Sequence, residues 1–142
     1  IRDRPVEPGA SLAGAVDASA VLANIAQPSF TVIDARAANR YRGEVEPMDP
    51  VAGHIPGALN RPNGENLQAD GRFKSAEQLR AEFASLLDGR DPASIVHQCG
   101  SGITACHNLL SMEIAGLAGS RLYPGSWSEW CSDPSRPVAK GA

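Results

Sequence analysis

Two short apolar runs decide most of what this chain can fold into. Phe30-Thr31-Val32-Ile33, stopping at Asp34, and Ser94-Ile95-Val96-His97-Gln98, β-branched at its centre and bounded by Pro92, are short and do not alternate apolar with polar residues. That is the pattern of strands covered on both faces. Helical patterns lie around them. Asp17 caps a predicted helix in which Ala18, Val21, Leu22 and Ile25 recur at i, i+3, i+4 and i+7, ending before Pro28. Ser75 and Gln78 form a capping box for a helix over 76–88 with Leu79, Phe83, Leu86 and Leu87 on one face, closed by Gly89. A helix over 105–115, closed by Gly116, and a strand at Arg121-Leu122-Tyr123 before the Pro124-Gly125 turn complete the alternation. Strands alternating with helices predict an α/β sandwich around a mostly parallel sheet, and such sheets hold ligands at the carboxyl ends of their strands. Asp34 and Cys99 both sit at such ends.

At 142 residues the chain is about one domain long, at roughly 100–200 residues per domain. Residues 1–16, with Pro5, Pro8, Gly9 and Gly14, read as a lead-in or linker, and 17–142 as the folded domain. A net charge of −3 offers no overall positive field for nucleic acid. Every apolar run falls far short of the roughly 20 residues that span a bilayer, and no start resembles a signal peptide, so a cytoplasmic protein without a membrane partner is expected. The three cysteines are an odd number, and their gaps match no zinc spacing. Reduced thiols are expected, with no metal and no cofactor.

Cys99-Gly100-Ser101-Gly102-Ile103-Thr104 joins the second run to the third helix. Gly100 and Gly102 take positive φ at little cost, so successive N–H groups can converge as a nest while the helix adds its positive terminus. That field favours thiolate, which makes Cys99 the candidate nucleophile; Cys106 and Cys131 lack the nest and are taken as buried structural cysteines. A phosphate-gripping cysteine loop needs a closing arginine, but Thr104 and Ala105 stand five and six residues on and no arginine occurs before Arg121. The short loop suits one extra atom on the cysteine, as in a persulfide. Residues 35–74 form a long, loop-like stretch holding Arg36, Arg40, Arg42 and Arg61, and stretches of that kind are usually functional.

Taken together, Val32-Ile33-Asp34-Ala35-Arg36, Arg40-Tyr41-Arg42-Gly43-Glu44, Gly53-His54-Ile55-Pro56-Gly57-Ala58, the loop from Cys99 to Ala105, and Tyr123-Pro124-Gly125-Ser126-Trp127-Ser128-Glu129-Trp130 resemble the rhodanese-like sulfurtransferases. The resemblance is to the catalytic carboxyl-terminal domain of the tandem 3-mercaptopyruvate and thiosulfate sulfurtransferases. It implies a three-layer α/β fold with a central, mostly parallel sheet flanked by helices. Thiosulfate-preferring members carry basic residues just after the cysteine, whereas Cys-Gly-Ser-Gly-x-Thr belongs to the mercaptopyruvate type. The resemblance therefore implies that Cys99 takes sulfur from 3-mercaptopyruvate, a small-molecule donor, and passes it to cyanide or to a thiol such as thioredoxin, with Ser101 moving protons. Thiosulfate:cyanide transfer and a non-catalytic interaction module are the alternatives.

By the same resemblance Arg40 grips the donor's carboxylate, and Gly100, Gly102, Ile103 and Thr104 complete the substrate-binding set. Arg36 braces the loop against Asp34 or a backbone carbonyl, and Arg42 is a solvated neighbour. Many mercaptopyruvate enzymes carry a second arginine after a Glu-Pro pair; here Glu46-Pro47 is followed by Met48. His54, His97 and His107 are taken as structural, and Trp127 and Trp130 either pack or wall the site's mouth. The resembled enzymes place their cleft between two halves, with a His and an acidic residue of the amino-terminal half joining the serine. The start at Ile1-Arg2-Asp3 without Met, and the Pro/Gly-rich residues 1–16, are then expected to be an interdomain linker, with an amino-terminal rhodanese-like domain absent from this chain.

Overall fold

The two apolar runs pair with each other. In the computed structural model, which describes residues 15–46, 51–99 and 105–140, β1 (Thr31–Asp34) and β3 (Ile95–Gln98) lie side by side in parallel, with Thr31 opposite Ile95 and Asp34 opposite Gln98. β2 (Leu59–Asn60) flanks β1 and β4 (Arg121–Leu122) flanks β3, giving a four-stranded, all-parallel sheet in the order β2-β1-β3-β4. Alternate side chains of the central pair feed two separate cores, as the two-residue period of a strand requires. Val32 and Val96 pack with Val21, Ile55, Tyr123, Trp127 and Trp130. Ile33 and Ile95 pack with Leu79, Phe83, Leu87 and Met112. The first core is covered by α1 (Ala18–Ala26) and α5 (Ser126–Trp130), the second by α3 (Ala76–Leu87) and α4 (Ala105–Ile114). Among the described residues no helix is long and apolar enough to cross a membrane.

The helix starts follow from their caps. The Asp17 carboxylate accepts from Ala20 N–H (2.9 Å) and the Ser75 hydroxyl from Gln78 N–H (3.2 Å). At the other end of α3 the left-handed turn begins one residue before Gly89, at Asp88 with φ 49°.

Two expectations need correction. The stretch 35–74 holds α2 (Ala38–Tyr41), the strand β2 and a 3-10 turn at Asn63–Asn66; elements this short have no periodicity to see in the sequence, and β2 exists only because Ile33 and Asp34 stand beside it. Of the expected lead-in, residues 1–14 lie outside the described residues, while Ala15 bridges to Leu122 and Val16 is buried in the first core, its N–H donating to Leu122 (2.8 Å).

The carboxyl-terminal segment is tied down by paired bonds of 2.8 Å between the backbones of His54 and Ala139. That approach requires Gly53. It has φ +123°, and a Cβ there would lie 2.5 Å from the Ala139 oxygen and 2.6 Å from Val138. Gly53→Ala is expected to destabilise the domain by about 1–3 kcal/mol, more than Gly71→Ala, since Gly71 has φ +87° with nothing within 4 Å. Denaturant unfolding of both variants checks this.

His97 is wholly buried in β3, and among the described residues neither ring nitrogen has a hydrogen-bond partner. Burial pushes its pKa down from 6.5 to about 3. Above pH 6.5 the folded and unfolded chains both keep the ring neutral. Between 6.5 and 3 only the unfolded chain binds the proton, so stability is lost as pH falls through that window. At about 1.4 kcal/mol per pH unit, His97 should remove about 2 kcal/mol between pH 6.5 and pH 5. His97→Leu should flatten that limb of the stability curve; an unchanged acid limb would exclude His97 as its cause.

Candidate active site

At the carboxyl ends of β1 and β3 the chain leaves in opposite directions, toward β2 from one strand and toward β4 from the other. Open parallel sheets bind ligands where their connections part in this way, and Asp34 and Cys99 stand at these strand ends.

Cys99 is 1% exposed and packs with Ala35 and Ala105. Its peptide is gripped by the start of α5: Cys99 N–H donates to the Ser126 hydroxyl (3.0 Å), and the Cys99 carbonyl accepts from Trp127 N–H (2.9 Å). The Ser126 hydroxyl in turn donates to the Tyr123 carbonyl (2.9 Å). Ser126 has φ 55°, a left-handed conformation that costs a residue with a side chain about 1 kcal/mol or more. The Pro124-Gly125 turn is visible in the sequence, but nothing there marks Ser126 as the residue that holds the cysteine. Gly100, Ser101, Gly102, Ile103 and Thr104 lie outside the described residues.

The arginines of the 35–42 segment meet a second carboxylate. Arg36 Nε lies 3.0 and 3.1 Å from the two Asp34 oxygens, and its Nη2 donates to Asp34 (2.7 Å) and to the Gly53 carbonyl (2.6 Å). Its Nη1 reaches Glu46 at 3.3 Å, and Arg40 Nη2 reaches the other Glu46 oxygen at 2.9 Å. The Arg36 guanidinium also lies 4.7 Å over the Trp127 ring. Arg36, bonded to Asp34, Glu46 and the Gly53 carbonyl and lying over Trp127, is a brace between β1, Glu46, Gly53 and α5. The Arg40 side chain is 19% exposed against 1% for Arg36, so Arg40 is the cation of this pair that reaches solvent. The Glu46 side chain is buried between them, and in the sequence only the Glu46-Pro47-Met48 departure drew notice to it. Arg42 is exposed and pairs with Glu44 (2.7 Å).

The histidines are held in packing contacts. His54 Nδ1 lies 2.7 Å from the Tyr41 carbonyl, and its ring stacks on Tyr41 at 3.8 Å. The Tyr41 hydroxyl donates to the Ala58 carbonyl, and burial followed by the Asp34 charge pushes the phenol's pKa up. His107 stacks on Phe73 at 4.8 Å, and burial pushes its imidazole down. Trp127 and Trp130 do not wall a mouth. Both are wholly buried, their ring N–H groups donating to the Val51 (2.9 Å) and Pro137 (2.8 Å) carbonyls. Cys131 is buried as expected, but Cys106 is exposed, because its position on α4 turns it away from the sheet. Among the described residues no cluster of His, Cys, Asp or Glu is arranged to hold a metal. A cavity of about 220 Å3 lined by Val21, Phe30, Thr31, Ile55 and Arg90 lies at the amino-terminal end of β1, the end away from Asp34.

Residues 17–133 match the Rhodanese-like domain family. The chain is 54% identical over 135 residues to a probable 3-mercaptopyruvate sulfurtransferase of Pseudomonas aeruginosa, covering 95% of this chain and 47% of that protein. It is 39% identical to the 3-mercaptopyruvate sulfurtransferase of Rattus norvegicus, covering 85% of this chain and 42% of that protein. The fold superposes on the crystal structure of the Tum1 protein from Saccharomyces cerevisiae with a TM-score of 0.76 at 28% identity, over 88% of this chain and 46% of the other. The chain thus spans about half the length of the curated relatives it matches. With the family match running over both central strands, the cysteine position and the helix that grips it, the chain belongs to the rhodanese-like domain family.

Proposed function

We propose that this chain is the persulfide-forming half of a sulfurtransferase that takes sulfur from 3-mercaptopyruvate and gives it to a thiol such as thioredoxin or to cyanide. The observation that carries this reading is the placement of Cys99: its peptide is locked by Ser126 and Trp127 at the end of a buried strand, next to the arginine-lined end of β1. A nucleophile held in this way needs little reorganisation to attack.

The Cys99 thiolate attacks the donor's sulfur. An S–S bond forms as the C–S bond breaks, and the electron pair passes to the donor carbon as the enolate of pyruvate, which then takes a proton. Ser101 handles protons at the donor thiol and the enolate. The N–H groups around Gly100, Gly102, Ile103 and Thr104 stabilise the negative outer sulfur. Cyanide or a thiolate then attacks that sulfur and releases the Cys99 thiolate. Arg40, oriented by Glu46, meets the donor's carboxylate, while Asp34 and Arg36 hold the end of β1 in place. A second rhodanese-like domain, for which the relatives' length leaves room, completes the cleft. A reducing, cytoplasmic setting belongs to the same proposal, because the chemistry needs Cys99 as a free thiol.

Pyruvate release from 3-mercaptopyruvate, measured beside thiocyanate formation from thiosulfate, tests the reading. A strong thiosulfate preference would replace the donor, and no sulfur added to Cys99 by either would overturn sulfur transfer altogether. Cys99→Ser is expected to abolish sulfur loading, seen as loss of the one-sulfur mass increase, with an almost unchanged melting temperature. Arg40→Ala should weaken donor binding by about 1–3 kcal/mol, as for a lost charge-assisted contact, read as a raised KM. Unchanged kinetics would remove Arg40 from the site.

A further inference from the structure

The segment leaving β2 and the first turn of α4 are joined by a closed ring of hydrogen bonds. Arg61 Nε donates to Asn66 Oδ1 (3.0 Å), Asn66 Nδ2 to Asn108 Oδ1 (2.6 Å), and Asn108 Nδ2 to the Arg61 carbonyl (2.8 Å). Asn66 and Asn108 are wholly buried and Arg61 nearly so. A guanidinium nitrogen only donates and a carbonyl only accepts, so the two ends of the ring dictate the orientation of both amides. Asn66 Nδ2 also lies 3.2 Å from His107 Nδ1, the neighbouring residue of the same helical turn.

The ring is anchored at the carboxyl end of β1. Arg61 N–H donates to the Asp34 carbonyl (2.9 Å), and the Asn60 side chain donates to the Asp34 and Arg36 carbonyls (3.0 Å each). Arg61 is held further by Glu82 (2.8 Å), by the Glu65 carbonyl (3.1 Å) and by the Phe83 ring beneath it at 4.7 Å. The carboxyl end of β1 is thereby linked, through two amides, to the turn with which α4 begins at Ala105. Cys99 itself is gripped from α5. The two ends of the segment 99–105 are therefore held from different parts of the fold.

We propose that Asn66 and Asn108 are positioning residues for the reaction at Cys99. Their ring sets where the first turn of α4 lies, and with it the N–H groups and positive helix terminus that act on a charged sulfur within about one turn. This rests on the sulfurtransferase reading above. Neither asparagine touches the reacting atoms; both act through the helix.

Asn66→Asp keeps the shape and the acceptor for Arg61 but turns the donor toward Asn108 into an acceptor. Asn108→Asp does the same to the bond on the Arg61 carbonyl. Leu79→Ala, a wholly buried α3 residue outside the ring, is the comparator for lost stability. The full chain of each variant is measured for melting temperature, for hydrogen exchange in the peptide covering 99–110, and for the rate of sulfur loading on Cys99 from 3-mercaptopyruvate well below melting. Both asparagine variants should exchange faster in that peptide and load about tenfold more slowly or worse, while Leu79→Ala should stay within about twofold of the unaltered chain. Unchanged loading in the asparagine variants, or equal slowing in Leu79→Ala for the same loss of melting temperature, would overturn the proposal. If the unaltered chain loads no sulfur, the sulfurtransferase reading fails, and exchange at the start of α4 then decides alone: unchanged protection in both asparagine variants overturns the positioning role.

Discussion

Parallel strands cannot be joined by a tight turn, so once β1 pairs with β3 every connection must cross a face of the sheet. From β1 the chain goes out to β2, returns through α3, enters β3 and leaves the other way through α4 to β4. Both faces are then covered, which explains the two cores: Val32 and Val96 look one way, Ile33 and Ile95 the other. The two connections part at the carboxyl ends of the central pair, where Asp34 and Cys99 stand and where open parallel sheets bind ligands. Fold and site follow from the same pairing.

At the end of β1, buried charge orients the backbone. Asp34, Arg36, Glu46 and Arg40 alternate in sign and satisfy one another. A buried ion pair adds little net stability, because desolvation offsets the attraction, but it penalises any arrangement that separates the partners. Arg36 thereby joins β1, the Gly53 carbonyl and Trp127, and Trp127 passes the constraint to the Cys99 carbonyl. On the opposite side the amide ring of Asn66 and Asn108 does for α4 what Arg36 does for α5. Both devices use groups with fixed donor and acceptor roles, so each has a single satisfied geometry.

Elements with strong local signals were legible. The helices capped by Asp17 and Ser75 form within a residue or two of their expected bounds, and the short runs at 30–33 and 94–98, with β-branched residues at their centres, become the central strands. The cysteine stood out because a buried strand, glycines and a helix in succession carry their own physical meaning. Arg40 was legible as a cation near the strand end, but not its partner Glu46. The roles of Ser126, Asn66 and Asn108 were invisible. A serine or asparagine has no periodicity to show, and its role depends on what lies beside it: Ser126 meets a residue 27 positions away and Asn66 one 42 positions away. Cys106 looked like a buried helical cysteine because composition cannot tell which way a helix is turned; the sheet turned it outward.

By itself the sequence determined what is local: which segments prefer strand or helix, where caps and turns fall, and that a cysteine follows a strand that must be buried. Tertiary structure alone decided the strand order, the two-residue strand β2, the sharing of Glu46 by two arginines, and the grips that α5 and the asparagine ring exert at the two ends of the segment 99–105. The physical reason is range. Propensity and capping act within a few residues, whereas buried hydrogen bonds and ion pairs join groups that meet only after the sheet has closed off water around them.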